Sequence, residues 1–239
     1  MKTLLLTLIT VLALNSYAQN VNIPDANFKA YLVGNASINT NGDAEIQVSE
    51  AVAFGGEIYC DGLNISDLTG IEAFTALTWL SCFDNQLSSL DVTQNTALVA
   101  LHLGNNQLSS LDVTQNTALV SFECSNNQLT CLNVKNGNNT ALFELEFAIN
   151  PNLTCIEVDD VAYSTTNWTV ANGSIDPQTS FSTSCANPCA LGLNELSNTP
   201  KQLLKIVDLM GRETPYKPNT VLIYVFDDGS TEKVFKMEE

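Results

Sequence analysis

The chain has 239 residues, of which 45% are hydrophobic, enough to bury the core of one or two domains. Its formal net charge is −17, and between residues 30 and 200 there are 18 acidic residues against a single base, Lys135. Nucleic acid requires the opposite balance, so we set this class of partner aside, and the same balance disfavours an anionic membrane surface.

Residues 1–18 have the layout of a secretory signal peptide. Lys2 precedes an apolar run over residues 4–14, and the triplet Ser16-Tyr-Ala18 supplies small residues before a cleavage point after Ala18. The apolar run is too short to span a bilayer, and no other segment is long enough. We therefore expect no transmembrane anchor and a secreted or outer cell-surface location.

Residues 19–56 are predicted to form a helical N-terminal cap. Pro24 and Asp25 suit the start of a helix, and three apolar residues share one of its faces, namely Phe28, Tyr31 and Leu32. A repeat core has an open hydrophobic end, and a helix at this place in the chain is expected to cover it.

The segment Asn39–Glu50 in this cap resembles the calcium loop of EF-hand and dockerin domains. The resemblance implies five ligands at the loop spacing: Asn39, Asn41, Asp43, Glu45 through its carbonyl, and Glu50. Two positions depart from the pattern, since the first ligand is not Asp and Ala44 replaces the usual glycine. The alternative is an Asx-rich turn that bonds its own backbone. We predict Ca²⁺ as an optional ligand only and no required cofactor.

Residues 57–158 repeat one pattern. Four copies start at leucines spaced by 21, 21 and 23 residues: Leu77, Leu98, Leu119 and Leu142. A degenerate earlier copy covers Glu57–Phe74, aligned at an offset of 22. The pattern L-x-x-L-x-L-x-x-N-x-L resembles the leucine-rich repeat, which implies a solenoid.

Each copy contains a short alternation of apolar and other residues, such as Leu101-His-Leu103. This alternation predicts a strand with one buried face, stacked in parallel on the next copy. An asparagine follows each strand and is predicted to bond backbone groups that have no sheet partner: Asn85, Asn106, Asn127 and Asn150. The return segments contain few helix formers and are predicted to be extended or irregular. The predicted fold is thus a mainly β solenoid with a small helical N-terminal cap.

Seven cysteines and the predicted export make disulfides possible. Cys131 and Cys155 occupy the same slot in consecutive repeats, so one prediction pairs them. Cys185, in the predicted C-terminal cap and linker at 159–190, competes for Cys155. The three cysteines at inward repeat positions are interpreted as small buried hydrophobes: Cys60, Cys82 and Cys124.

Residues 191–239 change in composition, since six of the nine basic residues lie beyond Pro200. Three strands are predicted, over Leu204–Leu209, Val221–Phe226 and Glu232–Lys236, with a turn at Asp228-Gly229. The block resembles the C-terminal sorting domain of the type IX secretion system of the Bacteroidetes. This resemblance implies that the type IX export machinery is a partner of the protein. The alternative is an ordinary β-hairpin end domain.

The outward strand positions predict a ligand-binding face that runs from aromatic to acidic: Trp79, Ser81, Phe83, His102, Glu123, Glu144 and Glu146. Exposed aromatic side chains are costly without a partner and are good binding hot spots. His102 is the chain's one histidine, and no catalytic motif accompanies it, so we expect no enzyme. Two hypotheses remain: an adhesion and recognition module for a protein or glycan, and a non-catalytic structural or accessory surface protein.

Overall fold

In a computed structural model, the protein is described for residues 19–187, 189, 203–207, 212–215, 221–226 and 231–235. The predicted signal peptide, residues 1–18, lies outside the described residues. The chain divides into two compact units, residues 1–191 and 192–239. Within the described ranges, no helix is both long and apolar enough to cross a membrane.

The described part of the first unit contains three α-helices and nine strands. The helices are α1 (Ala26–Gly34), α2 (Val48–Ala53) and α3 (Val161–Asn167). The strands are β1 (Glu57–Tyr59), β2 (Trp79–Ser81), β3 (Ala100–His102), β4 (Ser110–Asp112), β5 (Ser121–Glu123), β6 (Cys131–Asn133), β7 (Glu144–Glu146), β8 (Cys155–Glu157) and β9 (Ser180–Ser182). Single 3₁₀ turns cover Ile71–Ala73 and Asn139–Ala141.

The strands form two parallel sheets, which confirms the predicted repeat solenoid. The first sheet has the order β1-β2-β3-β5-β7 and contains the strands that the repeat pattern predicts. The degenerate first copy pairs as expected, with Glu57 opposite Trp79 and Ile58 opposite Leu80. The second sheet has the order β4-β6-β8-β9; its first three strands belong to the return segments, and β9 follows the repeats. The later coils therefore close the core with a strand on both sides, whereas the first two coils have a strand on one side only.

The core lies between the two sheets. In the first sheet the inward side chains stack in one column, and four of its five members are fully buried: Ile58, Leu80, Leu101 and Phe122. Leu145, the column's last member, is only partly buried, because no further strand of this sheet follows among the described residues. The C-terminal end of the first sheet is therefore less well covered than its N-terminal end.

The predicted asparagine ladder is present, and Asn106 shows how it works. Its side-chain Nδ2 donates to the carbonyls of Cys82 (2.9 Å) and Leu103 (3.1 Å), and its Oδ1 accepts from the backbone N–H of Leu87 at 3.0 Å. One buried amide thus joins two consecutive coils where the chain turns and has no sheet partner. Asn85, Asn127 and Asn150 repeat these contacts in their own coils.

A second asparagine ladder, which the sequence reasoning missed, runs through the return side. The Nδ2 of Asn95 donates to the carbonyls of Ile71 (2.8 Å) and Phe74 (3.0 Å), and Asn116 makes the corresponding bonds one coil later. Both side chains are fully buried. The asparagine of the recurring Thr-Gln-Asn-Thr segment is therefore structural.

The N-terminal cap is helical, as predicted. Asp25 caps α1 by accepting from the backbone N–H groups of Asn27 (2.9 Å) and Phe28 (3.0 Å). Phe28 and Leu32 are fully buried against the first coil. The hydroxyl of Tyr31 accepts from the backbone N–H of Tyr59 at 3.0 Å, so α1 also protects the outer edge of β1.

The segment after the repeats is more regular than predicted. It contains α3, and β9 adds one more strand to the second sheet, with Ser180 opposite Cys155. The indole of Trp168 packs edge-on against Phe147, at 5.9 Å between ring centroids, and against Phe181 at 5.7 Å. Trp168 is therefore the residue that closes the C-terminal end of the core.

Two disulfides fasten this end of the solenoid. Cys155 pairs with Cys185, at 6.0 Å between Cα atoms, and Cys131 pairs with Cys189 at 5.3 Å. The alternative pairing of Cys131 with Cys155 is wrong. The two residues do lie on adjacent strands, but the chain after β9 brings one further cysteine to each of them.

The described part of the second unit is a three-stranded antiparallel sheet. Its strands are β10 (Leu203–Val207), β11 (Val221–Phe226) and β12 (Thr231–Phe235), in that order across the sheet. Three strands are thus present where three were predicted. The predicted turn at Asp228-Gly229 lies outside the described residues.

Candidate binding face

The outward side of the first sheet, which we call the strand face, carries two rows of side chains. Parallel pairing without offset places each residue beside its equivalent in the next coil. One row consists of Glu57, Trp79, Ala100, Ser121 and Glu144. The other row consists of Tyr59, Ser81, His102, Glu123 and Glu146. Five of the seven residues predicted for the face from sequence are thus exposed or half-buried members of these rows: Trp79, His102, Glu123, Glu144 and Glu146.

An aromatic cluster occupies the N-terminal part of the strand face. The Trp79 ring lies 5.1 Å from the His102 ring in an edge-on arrangement and 6.1 Å from the Tyr59 ring, between centroids. Tyr59 is 48% exposed, and Trp79 and His102 are each half-buried. The indole Nε1 of Trp79 is buried without a hydrogen-bond partner within the described structure. The cluster therefore combines apolar surface with one unsatisfied donor.

Ser81 corrects the predicted face. It points outward but is only 5% exposed, and its hydroxyl donates to the Asp61 carboxylate at 2.6 Å. Asp61 also accepts from the backbone N–H of Phe83 at 2.8 Å. Because Ser81 is buried and its hydroxyl is bonded to Asp61, it is not available to a ligand.

Phe83 lies across the backbone at Gly104. A Cβ atom at Gly104 would come within 2.8 Å of both the Phe83 ring and the Glu123 carboxylate. Glycine at this position therefore lets an aromatic ring and a carboxylate meet over the strand end. Sequence reasoning identified Phe83 and Glu123 but not the glycine that brings them together.

A hydrogen-bonded chain joins the aromatic cluster to the acidic part of the face. The hydroxyl of Ser121 donates to Oε2 of Glu144 at 3.0 Å, and Nε2 of His102 lies 2.7 Å from the same hydroxyl oxygen. Since the hydroxyl has a single proton, Nε2 is the donor to Ser121. The imidazole therefore cannot act as a base toward this serine, and the serine is itself only 3% exposed. The arrangement orients the His102 ring and the Glu144 carboxylate on the strand face.

Carboxylates surround the aromatic cluster on both sides. Glu144 and Glu146 are exposed at the C-terminal end, and Glu123 is half-buried beside them. Exposed Glu57 and Asp61, which sequence reasoning missed, add two carboxylates at the N-terminal end, and Glu57 accepts from the Tyr59 hydroxyl at 2.7 Å. This hydrogen bond raises the pKa of Tyr59. The predicted gradient from aromatic to acidic is thus wrong at the N-terminal end of the strand face, which is also acidic. The alignment of the first two repeat copies at an offset of 22 residues already placed Glu57 beside Trp79.

The loop predicted to resemble a calcium site is closed by hydrogen bonds. The Glu50 carboxylate accepts from both the backbone N–H and the hydroxyl of Thr40 (2.8 and 2.9 Å) and from the backbone N–H groups of Asn41 (3.2 Å) and Gln47 (3.0 Å). Burial raises the pKa of Glu50, but these four bonds outweigh it and lower the pKa below its ordinary value. Glu50 is thus held as an anion by the loop itself.

The Glu45 side chain pairs with Lys29 of α1 at 2.7 Å, but the predicted ligand atom of Glu45 is its backbone carbonyl oxygen. The other three predicted ligands are engaged through their side-chain oxygens: Asn39 accepts from the backbone N–H of Gly42 at 3.0 Å, and Asn41 and Asp43 each accept from the N–H group two residues further on. These are the contacts of successive Asx turns. As folded, the loop does not fit an ion without releasing several of them, and calcium binding by it stays a prediction.

The repeated coils, the asparagine ladder and the open strand face define a repeat solenoid, whose sequence pattern resembles the leucine-rich repeat. Among solved structures, the chain is similar to the functional domain of InlJ from Listeria monocytogenes, at 28% identity and a TM-score of 0.45, over 59% of this chain and 38% of that one. It is also similar to an internalin, InlF, from Listeria monocytogenes, at 16% identity and a TM-score of 0.43, over 61% of this chain and 46% of that one. The chain thus spans less than half of either protein.

No protein-family model matches the chain. No curated protein matches it either.

Proposed function

We propose that this protein is an exported binding module that recognises a protein partner through the strand face. The observation that carries the proposal is the partly exposed cluster of Tyr59, Trp79 and His102, flanked on both sides by carboxylates. Trp and Tyr are enriched among the few residues that dominate the binding energy at protein interfaces. The flanking charges favour a partner that presents Lys or Arg around an apolar anchor.

The proposed module is not an enzyme. The single imidazole on the face donates to a buried serine whose proton is already given to Glu144. Carboxylates that flank an aromatic cluster on the outward side of an open sheet are better suited to recognition than to chemistry, because exposed groups such as Glu144 and Glu146 stay in contact with water.

The test is a screen of the mature protein against protein and glycan arrays, followed by variants of the strand face. Trp79→Ala should reduce the affinity for the captured partner by at least tenfold, as expected of a hot spot. Phe143→Ala is the matched control, since this phenylalanine is 78% exposed but does not belong to the strand face. Thermal melts of both variants check that each is folded.

The outcomes separate the two hypotheses. Loss of binding with Trp79→Ala and not with Phe143→Ala supports a protein-recognition module. Equal, negligible effects of both variants on every captured partner would favour the structural or accessory role. If a partner is captured only from the glycan array and its binding is lost with Trp79→Ala, the strand face is the binding site but the ligand is a glycan and not a protein.

We further propose that residues 191–239 direct export through the type IX secretion system. The separation of the chain into two compact units near residue 191 and the concentration of basic residues in the second unit support this. Deletion of residues 191–239 should retain the protein in the periplasm of a cell that has this system, with the solenoid folded. Delivery of the truncated chain to the surface at the normal level would contradict the proposal.

A further inference from the structure

Two buried thiols touch at the N-terminal end of the solenoid. Cys60 follows β1 and Cys82 follows β2, one position beyond the paired residues Tyr59 and Ser81. Their Sγ atoms are 2.8 Å apart, and both side chains are fully buried. A disulfide bond is about 2.0 Å long, so the two sulfurs need to approach by only about 0.8 Å more.

We propose that Cys60 and Cys82 are oxidised to a third disulfide that joins the first two coils of the exported protein. Two thiols lose two protons and two electrons, and one S–S bond forms between the two Sγ atoms. The electrons pass to an oxidant of the disulfide class, such as a thiol-disulfide oxidase or oxidised glutathione, which is itself reduced to two thiols. An extracytoplasmic compartment supplies such oxidants.

The strand spacing supports this pairing. Adjacent parallel strands lie about 4.8 Å apart, which is within the range of Cα separations that a disulfide bridges. Neighbouring backbones therefore need no rearrangement. The backbones at the two cysteines are already joined, because the backbone N–H of Cys60 donates to the carbonyl of Ser81, the residue before Cys82, at 2.9 Å.

The third free thiol, Cys124, is not a competing partner. The same column continues from Cys82 through Leu103 to Cys124, so a leucine separates the two cysteines by one whole coil. Burial raises the pKa of the Cys124 thiol, which keeps it protonated and unreactive. One unpaired thiol is therefore expected in a chain of seven cysteines.

The burial of the pair determines when the bond forms. A thiolate is the attacking species in disulfide exchange, and burial raises the pKa of Cys82 well above its ordinary value. An external oxidant also cannot reach side chains that are fully buried. The bond is thus made while the first coils are still open, and once α1 has packed over them a reductant cannot reach it.

The experiment counts free thiols in the mature chain purified from the medium or cell surface. The protein is unfolded in guanidinium with iodoacetamide and without reductant, and intact mass and peptide mapping give the alkylated cysteines. We expect one alkylated residue per chain, Cys124, and a cross-linked peptide that contains Cys60 and Cys82. Three alkylated residues per chain, at Cys60, Cys82 and Cys124, would overturn the proposal.

Two variants calibrate the count. Cys124→Ser should give no alkylated residue, and Cys60→Ser should give two, at Cys82 and Cys124. A second arm refolds the fully reduced, unfolded chain with oxidised glutathione and should restore the count of one. A cross-link from Cys60 or Cys82 to any other cysteine, in either arm, would also contradict the proposed pair.

Discussion

The two ends of the solenoid face the same problem and solve it by different means. At the N-terminal end, α1 covers the open core with Phe28 and Leu32, and Asp25 and Tyr31 accept hydrogen bonds from backbone N–H groups of the first coil. At the C-terminal end, α3 has only seven residues and contributes little core, so Trp168 and two disulfides close the stack. The N-terminal cap is thus held by the packing and hydrogen bonds of α1, whereas the C-terminal cap is joined to the last coils by disulfides.

The comparison predicts that the C-terminal end depends most on its cross-links. Replacing both Cys155 and Cys185 by Ser should lower the free energy of unfolding by about 3–4 kcal/mol, the value expected for a loop of this length. Urea unfolding of the mature chain measures the loss. Cys124→Ser is the control for replacing a buried sulfur by a hydroxyl, and a double variant no less stable than this control would contradict the prediction.

At the N-terminal end, the largest single contribution is expected from Glu50. Glu50→Gln keeps the shape of the side chain but loses the charge that accepts four hydrogen bonds, so we expect a loss of about 2 kcal/mol. Because those bonds occupy the carboxylate, millimolar calcium should not shift the melting temperature of the wild-type protein relative to a chelator. A rise in melting temperature with calcium that Glu50→Gln abolishes would instead establish a calcium site.

The repeat is what made the fold predictable from sequence. The spacing of 21 to 23 residues places strand on strand, and a buried amide such as that of Asn106 recurs only if each coil turns in the same way. The alternation of residues along a strand predicts which side of the sheet a side chain faces, but it does not predict how deeply that side chain is buried. Ser81 points outward as predicted and is still buried, with its hydroxyl bonded to the Asp61 carboxylate of the preceding coil.

Features without a repeat were not predictable in the same way. Strand β9 lies beyond the last copy, and its Ser-Phe-Ser sequence carries no more strand signal than many loops of this chain. The pairing of Cys131 with Cys189 depends on where the chain travels after the last coil, which spacing does not encode. The contact of His102 with Ser121 is diagonal across two strands, so it depends on side-chain rotamers and not on register.

The pH dependence of stability tests the role of Asp25 at the N-terminal end. Its carboxylate accepts hydrogen bonds from two N–H groups of α1 and from the backbone N–H (2.9 Å) and hydroxyl (3.0 Å) of Ser66. Burial raises the pKa of Asp25, but these bonds outweigh it, so that the folded pKa lies below the ordinary value of 3.8. A lowered folded pKa means that the stabilisation is complete above the unfolded pKa and is lost as pH falls through the folded pKa.

We therefore expect Asp25→Ala to destabilise the protein by about 1–2 kcal/mol at neutral pH. The difference from wild type should shrink as the pH is lowered from about 6 to about 2, because the wild-type carboxyl then becomes protonated. Denaturant melts across this pH range give the difference. A constant difference at all pH values would show that the effect comes from lost packing and not from the charge.

The smallest expected effect concerns backbone strain at the C-terminal end. In the second, third and fourth coils the residue just before the ladder asparagine has positive φ and is Asp84, Asn105 or Asn126, whereas in the last coil it is Ile149, at 62°. A β-branched residue in the left-handed region costs about 1–2 kcal/mol, whereas Asn tolerates it. The Asp176 carboxylate holds Ile149 there by accepting from its backbone N–H at 2.9 Å.

The isoleucine side chain is 58% exposed, so its removal gives up little buried surface. Ile149→Asn should therefore raise the free energy of unfolding by about 1 kcal/mol, and the reverse change Asn105→Ile, in a central coil, should lower it by a similar or larger amount. Urea unfolding of the two variants measures both effects against wild type. A loss of stability with Ile149→Asn would show that the isoleucine makes contacts at this end that outweigh the strain.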